Sequence, residues 1–455
     1  MHRTTLEFLK IWKQRKNHKP LIVRGARQVG KTFLVKMFAS EFETFVEINF
    51  EENPEYKDIF ISNDVESIIQ NISLTKGLKI SEGTSLLFLD EIQMCPEAIT
   101  TLRYFYEKKP GLHVIAAGSL LDHVLNNLKL PMPVGRVEFL YMYPMSFHEF
   151  LIAMGEDLLV EFLNDYKIEN EISVVVHKKL LKLLRIYFFV GGMPEAVKTH
   201  IDTSDFLEVE RVHESILMSM EIDFAKYAGN GDQQNLRSVL KYIPRGIGKK
   251  MKWAAIDNSV KSTNLKQAFE KLERSRVIHR VSATSTVEIP LNQNIKQNVF
   301  KPLYADIGLA RHILEVRLID PEKLMLINEG EMAEQFIGQQ LLCRKPEFID
   351  RELYYWVREK ADSNAEIDYL FEYFNQVLPV EVKAGKTGTL KSLHVFMKEK
   401  NKALALRFNA DLPGKTDVKT SLKMKNTIEQ VDYKLISLPL YLVNYVDNIL
   451  DNSRT

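Results

Sequence analysis

The segment Gly25-Ala26-Arg27-Gln28-Val29-Gly30-Lys31-Thr32 constrains this chain more than any other. It fits G-x-x-x-x-G-K-[ST] at every position, between the apolar run Leu21-Ile22-Val23 and the helical stretch TFLVKMFASEF. A strand, a glycine-bearing turn and a helix in that order turn backbone amides inward and add the positive end of a helix, a cradle for phosphate oxygens. All eight residues are candidates for holding ATP. Lys31 would meet the β- and γ-phosphates, and Thr32 would ligate Mg²⁺.

A second run, Leu86-Leu87-Phe88-Leu89-Asp90-Glu91, reads as a buried strand ending in paired carboxylates. Asp90 is the candidate Mg²⁺ holder and Glu91 the candidate base that polarises an attacking water. The next strand, Val114-Ile115-Ala116-Ala117, ends at Gly118-Ser119. Ser119 is a candidate γ-phosphate sensor or simply a helix cap. Arg136 could supply positive charge to a transition state in cis or from a neighbouring subunit, or could form a surface salt bridge.

The surrounding pattern alternates β-rich runs (PLIVRG, TFVEINF, SLLFLDEI, HVIAAGSLL) with the helices TFLVKMFASEF and AITTLRYFYEKK. That alternation predicts an α/β fold, the parallel sheet of a P-loop NTPase. At 455 residues the chain is long enough for about three domains at roughly 150 residues each. Four regions are expected. They are an ATPase core over 1–147, a helical lid over 148–230, a winged helix over 231–320 and a second α/β domain over 321–455. The winged helix is read from helices NLRSVLKYIPRGI, WAAIDN and LKQAFEKLERS followed by strands VIHRVSA and NVFKPLYAD.

GARQVGKT, FLDEIQ, AAGS, GRVEFLYMYPMSFHEF and GGMPEAV together resemble a prokaryotic AAA-superfamily ATPase group related to the signal-transduction NTPases. The resemblance runs over nearly the whole chain. It implies ATP hydrolysis, Arg136 as a candidate arginine finger, a winged-helix segment and a C-terminal domain of unknown function.

In the last region, Glu366-Ile367-Asp368-Tyr369 lies on one expected strand and Glu381-Val382-Lys383 on the next. Strand alternation puts Glu381 and Lys383 on one face. Asp368 and Glu381 are candidate ligands of a second divalent metal, Glu334 a further ligand or orienter, and Lys383 a candidate catalytic group holding a water or stabilising phosphate charge. This layout, with its order of helix, three strands, helix and strand, resembles the restriction-endonuclease-like core. The alternative is an inherited fold used only for binding.

Lys+Arg 61 against Asp+Glu 60 gives a net charge of +1, so any DNA contact must come from a local patch. Lys241, Arg245, Lys249, Lys250 and Lys252, interleaved with Tyr242 and Trp253, form such a patch ahead of an expected recognition helix around Lys266. Double-stranded DNA is the candidate partner, a solvated helical face the alternative. A homo-oligomer is a further candidate assembly. The first twenty residues lack the apolar core of a secretory signal and no apolar run approaches the roughly 18 residues that span a bilayer, so a cytoplasmic location without a membrane is expected. The 11 histidines show no H-x-E-x-x-H or similar metal spacing, and the two cysteines, Cys95 and Cys343, fall in different expected domains.

Overall fold

A computed structural model of the chain describes residues 2–118, 135–227, 230–315, 329–358, 365–383, 390–424 and 427–452. They divide into two compact units. Unit 1 is Met1–Pro144 with two later segments, Glu270–Val277 and Lys345–Asp350. Unit 2 is Met145–Phe269, Ile278–Arg344 and Arg351–Thr455.

Unit 1 is built on a five-stranded sheet of β1 (Leu21–Gly25), β2 (Thr44–Asn49), β3 (Ser85–Asp90), β4 (His113–Ala117) and β5 (Glu138–Met142), in the order β2-β3-β4-β1-β5. Every pairing is parallel. The apolar runs of β3 and β4 are buried along their whole length, as central strands covered on both faces must be. One face packs Ile22, Val46, Ile48, Leu87, Leu89 and Val114 with Ile68, Ile72, Ile99 and Leu102 of the helices Val65–Lys76 and Pro96–Lys108. Helices Thr5–Gln14 and Lys31–Phe38 pack together, with the Trp12 and Phe38 rings 6.3 Å apart. Four of the strands are those expected from sequence. β5 is additional, pairing residue for residue with β1 from Leu21↔Glu138 to Gly25↔Met142. Because β1 lies between β4 and β5, the sheet has a topological switch point beside the carboxyl end of β1, where open α/β sheets place ligands.

Unit 2 carries an eight-stranded mixed sheet. Its strands are β6 (Ile278–Thr284), β7 (Ile295–Tyr304), β8 (Leu353–Val357), β9 (Glu366–Tyr373), β10 (Gln376–Val382), β11 (Leu404–Asn409), β12 (Gly414–Met424) and β13 (Thr427–Pro439), in the order β12-β13-β11-β10-β9-β8-β6-β7. Strands β8, β9 and β10 pair antiparallel and β11 joins β10 in parallel. Helix Lys391–Lys400 follows β10, and its Phe396 ring meets Trp356 at 5.1 Å, so Trp356 is core.

The expected winged helix differs. Its two strands form the predicted antiparallel hairpin, but β6 also pairs in parallel with β8 from Val281↔Leu353 to Thr284↔Trp356. The hairpin therefore ends the C-terminal sheet and is not the wing of a separate module. The physical reason is that β6 has two bonding edges and buries Ile278, Val281 and Ala283; β8 supplies the second edge.

The GGMPEAV break has a structural task beyond ending the helix Val174–Val190. Gly191 stands at φ 73°, ψ −166°, a conformation essentially reserved for glycine. This turns the amide of Gly192 toward Asp306, whose Oδ2 accepts it at 2.6 Å. Asp306 is buried, and its Oδ1 also caps the helix Ile307–Ile313 by accepting from the Leu309 amide at 3.0 Å. A Cβ on Gly191 would lie 2.2 Å from Asp306 Oδ1. Gly191→Ala is therefore expected to cost about 3 kcal/mol or more of stability. The measurement is a urea unfolding curve, which should move to lower denaturant.

Candidate functional site

β1 delivers the phosphate-binding turn at the carboxyl edge of the sheet in unit 1. Beyond Gly25 the backbone enters the left-handed region at Gln28 (φ 63°) and Gly30 (φ 92°), and the helix Lys31–Phe38 starts at once. Lys31 is buried, and its Nζ donates to the carbonyl oxygens of Gly25 at 3.0 Å and Ala26 at 2.8 Å. Burial lowers this ammonium from its ordinary value to about 8, against the pull of the Glu91 and Asp90 carboxylates. A buried cation whose hydrogen-bond partners among the described residues are neutral carbonyls is poised to exchange them for an anion.

β3 brings Asp90 to the same edge. Thr32 Oγ1 donates to Asp90 Oδ2 at 2.8 Å, and the Glu91 amide donates to Asp90 Oδ1 at 3.0 Å. Burial raises the Asp90 carboxyl, while the Thr32 hydrogen bond opposes the rise. A threonine hydroxyl and a carboxylate sharing one small volume beside Lys31 are hard oxygen donors, and they fit Mg²⁺.

Glu91 sits at φ 50°, and its Oε2 accepts from Gln93 Nε2. Gln93 is buried and turns Oε1 toward the end of β4, where a Cβ on Gly118 would lie 2.1 Å from it. Gln93 and the bare Gly118 were not singled out from sequence. Both were inside quoted motifs, but nothing in their spacing linked them. Ser119 lies outside the described residues.

Arg136 is exposed, pairs through Nε with Glu107 Oε1 at 3.1 Å, and lies over the Tyr106 ring. It precedes β5, whose Glu138 is level with Leu21, so it stands at the end of the sheet opposite the phosphate turn. The four steps from Leu21 to Gly25 along β1 span about 13 Å at roughly 3.3 Å per residue, beyond an arginine's reach in cis. That distance is incompatible with a cis role and leaves two readings, the surface salt bridge with Glu107 and a role from a neighbouring subunit.

In unit 2 the sheet brings the second set of candidates into one neighbourhood. Glu381 Oε1 and Lys383 Nζ are 2.6 Å apart, on one face as alternation requires. Asp368 Oδ2 accepts from the Val382 amide at 2.8 Å. Burial, then the Asp368 charge, raises both Glu334 and Glu381. Among the described residues, Glu381 Oε2 is buried without a hydrogen-bond partner.

Lys301 of β7, which was not singled out from sequence, changes the chemistry. Its buried Nζ lies 3.4 Å from Glu334 Oε2, 3.0 Å from Glu366 Oε1 and 3.7 Å from Asp368 Oδ1. Burial works against this ammonium, but the Glu334, Asp368 and Glu366 carboxylates outweigh it and hold it above its ordinary value. Among the described residues, Glu334, Asp368 and Glu381 do not gather ligand oxygens within 4.8 Å of one another. At Glu334 and Asp368, two of the candidate ligands of the expected second metal, Lys301 supplies the positive charge.

The basic segment is also redirected. Lys249 pairs with Glu331 at 3.4 Å and Lys250 with Glu366 at 3.5 Å. Trp253 packs on Phe269 and Phe300 at 5.7 and 5.8 Å. Lys241, Arg245, Lys252 and Lys266 remain exposed.

Residues 17–151 match an AAA domain family. The N-terminal unit contains an AAA-type P-loop ATPase domain. Residues 181–319 and 329–439 match two domains of unknown function, DUF8612 and DUF4143. Comparison with curated protein sequences gives no match. Similar solved structures include a Walker-type ATPase of Pyrococcus abyssi, at 15% identity and TM-score 0.43, covering 68% of this chain and 94% of that one. The ORC2 protein of Aeropyrum pernix is similar at 13% identity and TM-score 0.35, covering 72% of this chain and 95% of that one. A signal transduction ATPase with a tetratricopeptide repeat sensor from Pyrococcus horikoshii is similar at 12% identity and TM-score 0.25, covering 76% and 46%. No described helix is long and apolar enough to cross a membrane.

The lowered Lys31 ammonium gives the site a pH signature. Without nucleotide, the cost of a buried charge is present below pH about 8 and is relieved as pH rises. Phosphate raises the ammonium again, so binding takes up a proton above that pH. Affinity for ATP is expected to be level below pH 8 and to weaken by up to about tenfold per pH unit above it. Calorimetric titration from pH 7 to 9.5 reads this directly, and Lys31→Arg should remove the bend.

Proposed function

We propose that this chain binds MgATP and hydrolyses it, with Lys31, Thr32, Asp90 and Glu91 as the working side chains. The observation that carries the reading is the 2.8 Å contact of Thr32 Oγ1 with Asp90 Oδ2 next to the buried Lys31 Nζ. It supports one small site for phosphate and cation. Backbone amides of Gly25 to Thr32 bind phosphate oxygens, and Lys31 leaves the Gly25 and Ala26 carbonyls for the β- and γ-phosphates. Thr32 and Asp90 would hold Mg²⁺, which would supply charge neutralisation at those phosphates. Glu91 accepts a proton from the attacking water, and Gln93 orients the Glu91 carboxylate. Ser119 is assigned to sensing the γ-phosphate. Arg136 completes the site from a neighbouring copy in a homo-oligomer.

The experiment is ATP turnover by three variants of the full chain. Lys31→Ala should lose ATP retention and turnover together. Glu91→Gln should retain ATP while turnover falls about a hundredfold or more. Arg136→Ala alone should lower turnover, and mixing it with Lys31→Ala chains, which keep Arg136, should restore part of it. Wild-type turnover by Glu91→Gln would contradict the assignment of the base.

For the C-terminal sheet a second reading is favoured by one observation, the Lys301 ammonium among Glu334, Glu366 and Asp368. The order of helix Glu329–Leu342, β8, β9, β10, helix Lys391–Lys400 and β11 supports a restriction-endonuclease-like ancestry. The ion-paired carboxylates support a silent descendant, used for binding within an ATP-driven signalling or scaffold switch. DNA contact would rest on the exposed Lys241, Arg245, Lys252 and Lys266. Purified protein with Mg²⁺ or Mn²⁺ is expected not to nick plasmid DNA, and Lys383→Ala is expected to change nothing. Nicking that Lys383→Ala abolishes would restore the nuclease reading.

A further inference from the structure

A cluster with no bearing on either site joins two helices of unit 2. The helix Phe206–Tyr227 carries Glu210, His213 and Glu214, which its periodicity puts on one face. The helix Ile307–Ile313 packs against it and carries Arg311 and His312. About a hundred residues separate the two histidines, so no local spacing could reveal them. Ligand atoms of Glu210, His213 and His312 nevertheless lie within 4.8 Å of one another.

The hydrogen-bond partners fix what each group presents. His213 is fully buried, and its Nε2 lies 2.9 Å from the Val190 carbonyl oxygen. Only an N–H can face that oxygen, so Nε2 carries hydrogen and Nδ1 keeps its lone pair. His312 Nε2 lies 3.0 Å from Glu214 Oε2 and Nδ1 faces Glu210 Oε2, so by the same rule both ring nitrogens donate, and an ion would displace the Nδ1 proton. Glu210 Oε1 accepts from Arg311 Nη1 at 2.7 Å, leaving Oε2 as the oxygen turned inward. Each of the three groups is thus held from behind by a second polar partner: a carbonyl, a carboxylate and a guanidinium. That arrangement fixes the tautomer and orientation of metal-binding imidazoles. Arg311 also approaches His213 Nδ1, but at 3.4 Å, a long contact that leaves the lone pair weakly engaged. The guanidinium is itself seated on the Phe189 ring at 3.8 Å, so it keeps Glu210 without needing His213.

We propose that Glu210, His213 and His312 form a binding site for a divalent transition-metal ion of the zinc class, through one carboxylate oxygen and two imidazole nitrogens. Two nitrogens and one oxygen suit zinc, cobalt or nickel, whereas magnesium and calcium require oxygen ligands. Glu210 and His312 are only partly buried, so water can complete a tetrahedral set. The ion would tie the helix Ile307–Ile313 to the helix Phe206–Tyr227. Without an ion the same groups make an internal charge network, with His312 between Glu210 and Glu214.

The test uses the full chain, stripped with chelator and dialysed against Zn²⁺ with Mg²⁺ in large excess to fill the nucleotide site. Bound zinc is then measured by atomic emission. The wild-type chain is expected to retain one zinc, and His312→Ala and Glu210→Gln to bind it at least about tenfold more weakly. Equal zinc retention by wild type and both variants, or none by wild type, would overturn the proposal in favour of the charge network. Should the variants fail to fold, Co²⁺ added to wild type decides the matter. A visible absorption band of nitrogen-ligated tetrahedral cobalt is expected, and its absence refutes the site.

Discussion

The functional centre depends on one buried cation, the Lys31 ammonium held at the carboxyl edge of a parallel sheet. Its neutral partners, the Gly25 and Ala26 carbonyls, do not compensate its charge, and burial lowers it to about 8. Asp90 and Glu91 are brought to the same edge because β3 runs parallel to β4 and β4 to β1. The sheet therefore creates an electrostatic demand that an oligophosphate with its cation satisfies. The strands that deliver these residues are buried on both faces, so the demand is rigidly placed.

Unit 2 solves a comparable problem differently. Its buried Asp368 and half-buried Glu334 and Glu366 are answered by the chain's own buried Lys301, with Lys250 at the rim. Breaking such an ion pair from one side leaves an uncompensated buried charge, so the arrangement persists without any ligand. The two acidic sites thus differ in one respect: the first has a neutral threonine hydroxyl beside Asp90, the second a permanent ammonium beside Asp368.

Local signals made the first site legible. The glycine turn, the apolar run before it and the acid pair ending β3 are each contiguous, and a parallel sheet has few ways of arranging them. What escaped was nonlocal. β5 pairs with β1 across more than a hundred residues, and its register is what puts Arg136 at the far end of the sheet. Segments Glu270–Val277 and Lys345–Asp350 join unit 1 without any composition shift to announce it. In unit 2, alternation correctly placed Glu381 with Lys383, yet Lys301 comes from a hairpin that looked like part of another module. The pairing of β6 with β8 is the step that sequence periodicity cannot supply, because it specifies faces and not neighbours.

The most direct measurement is the dependence of ATP affinity on Mg²⁺ in wild type and in Asp90→Asn. If Thr32 and Asp90 hold the cation beside Lys31, Mg²⁺ tightens ATP binding by wild type, and Asp90→Asn loses that gain while its metal-free affinity persists. An equal Mg²⁺ effect in both proteins would contradict the account.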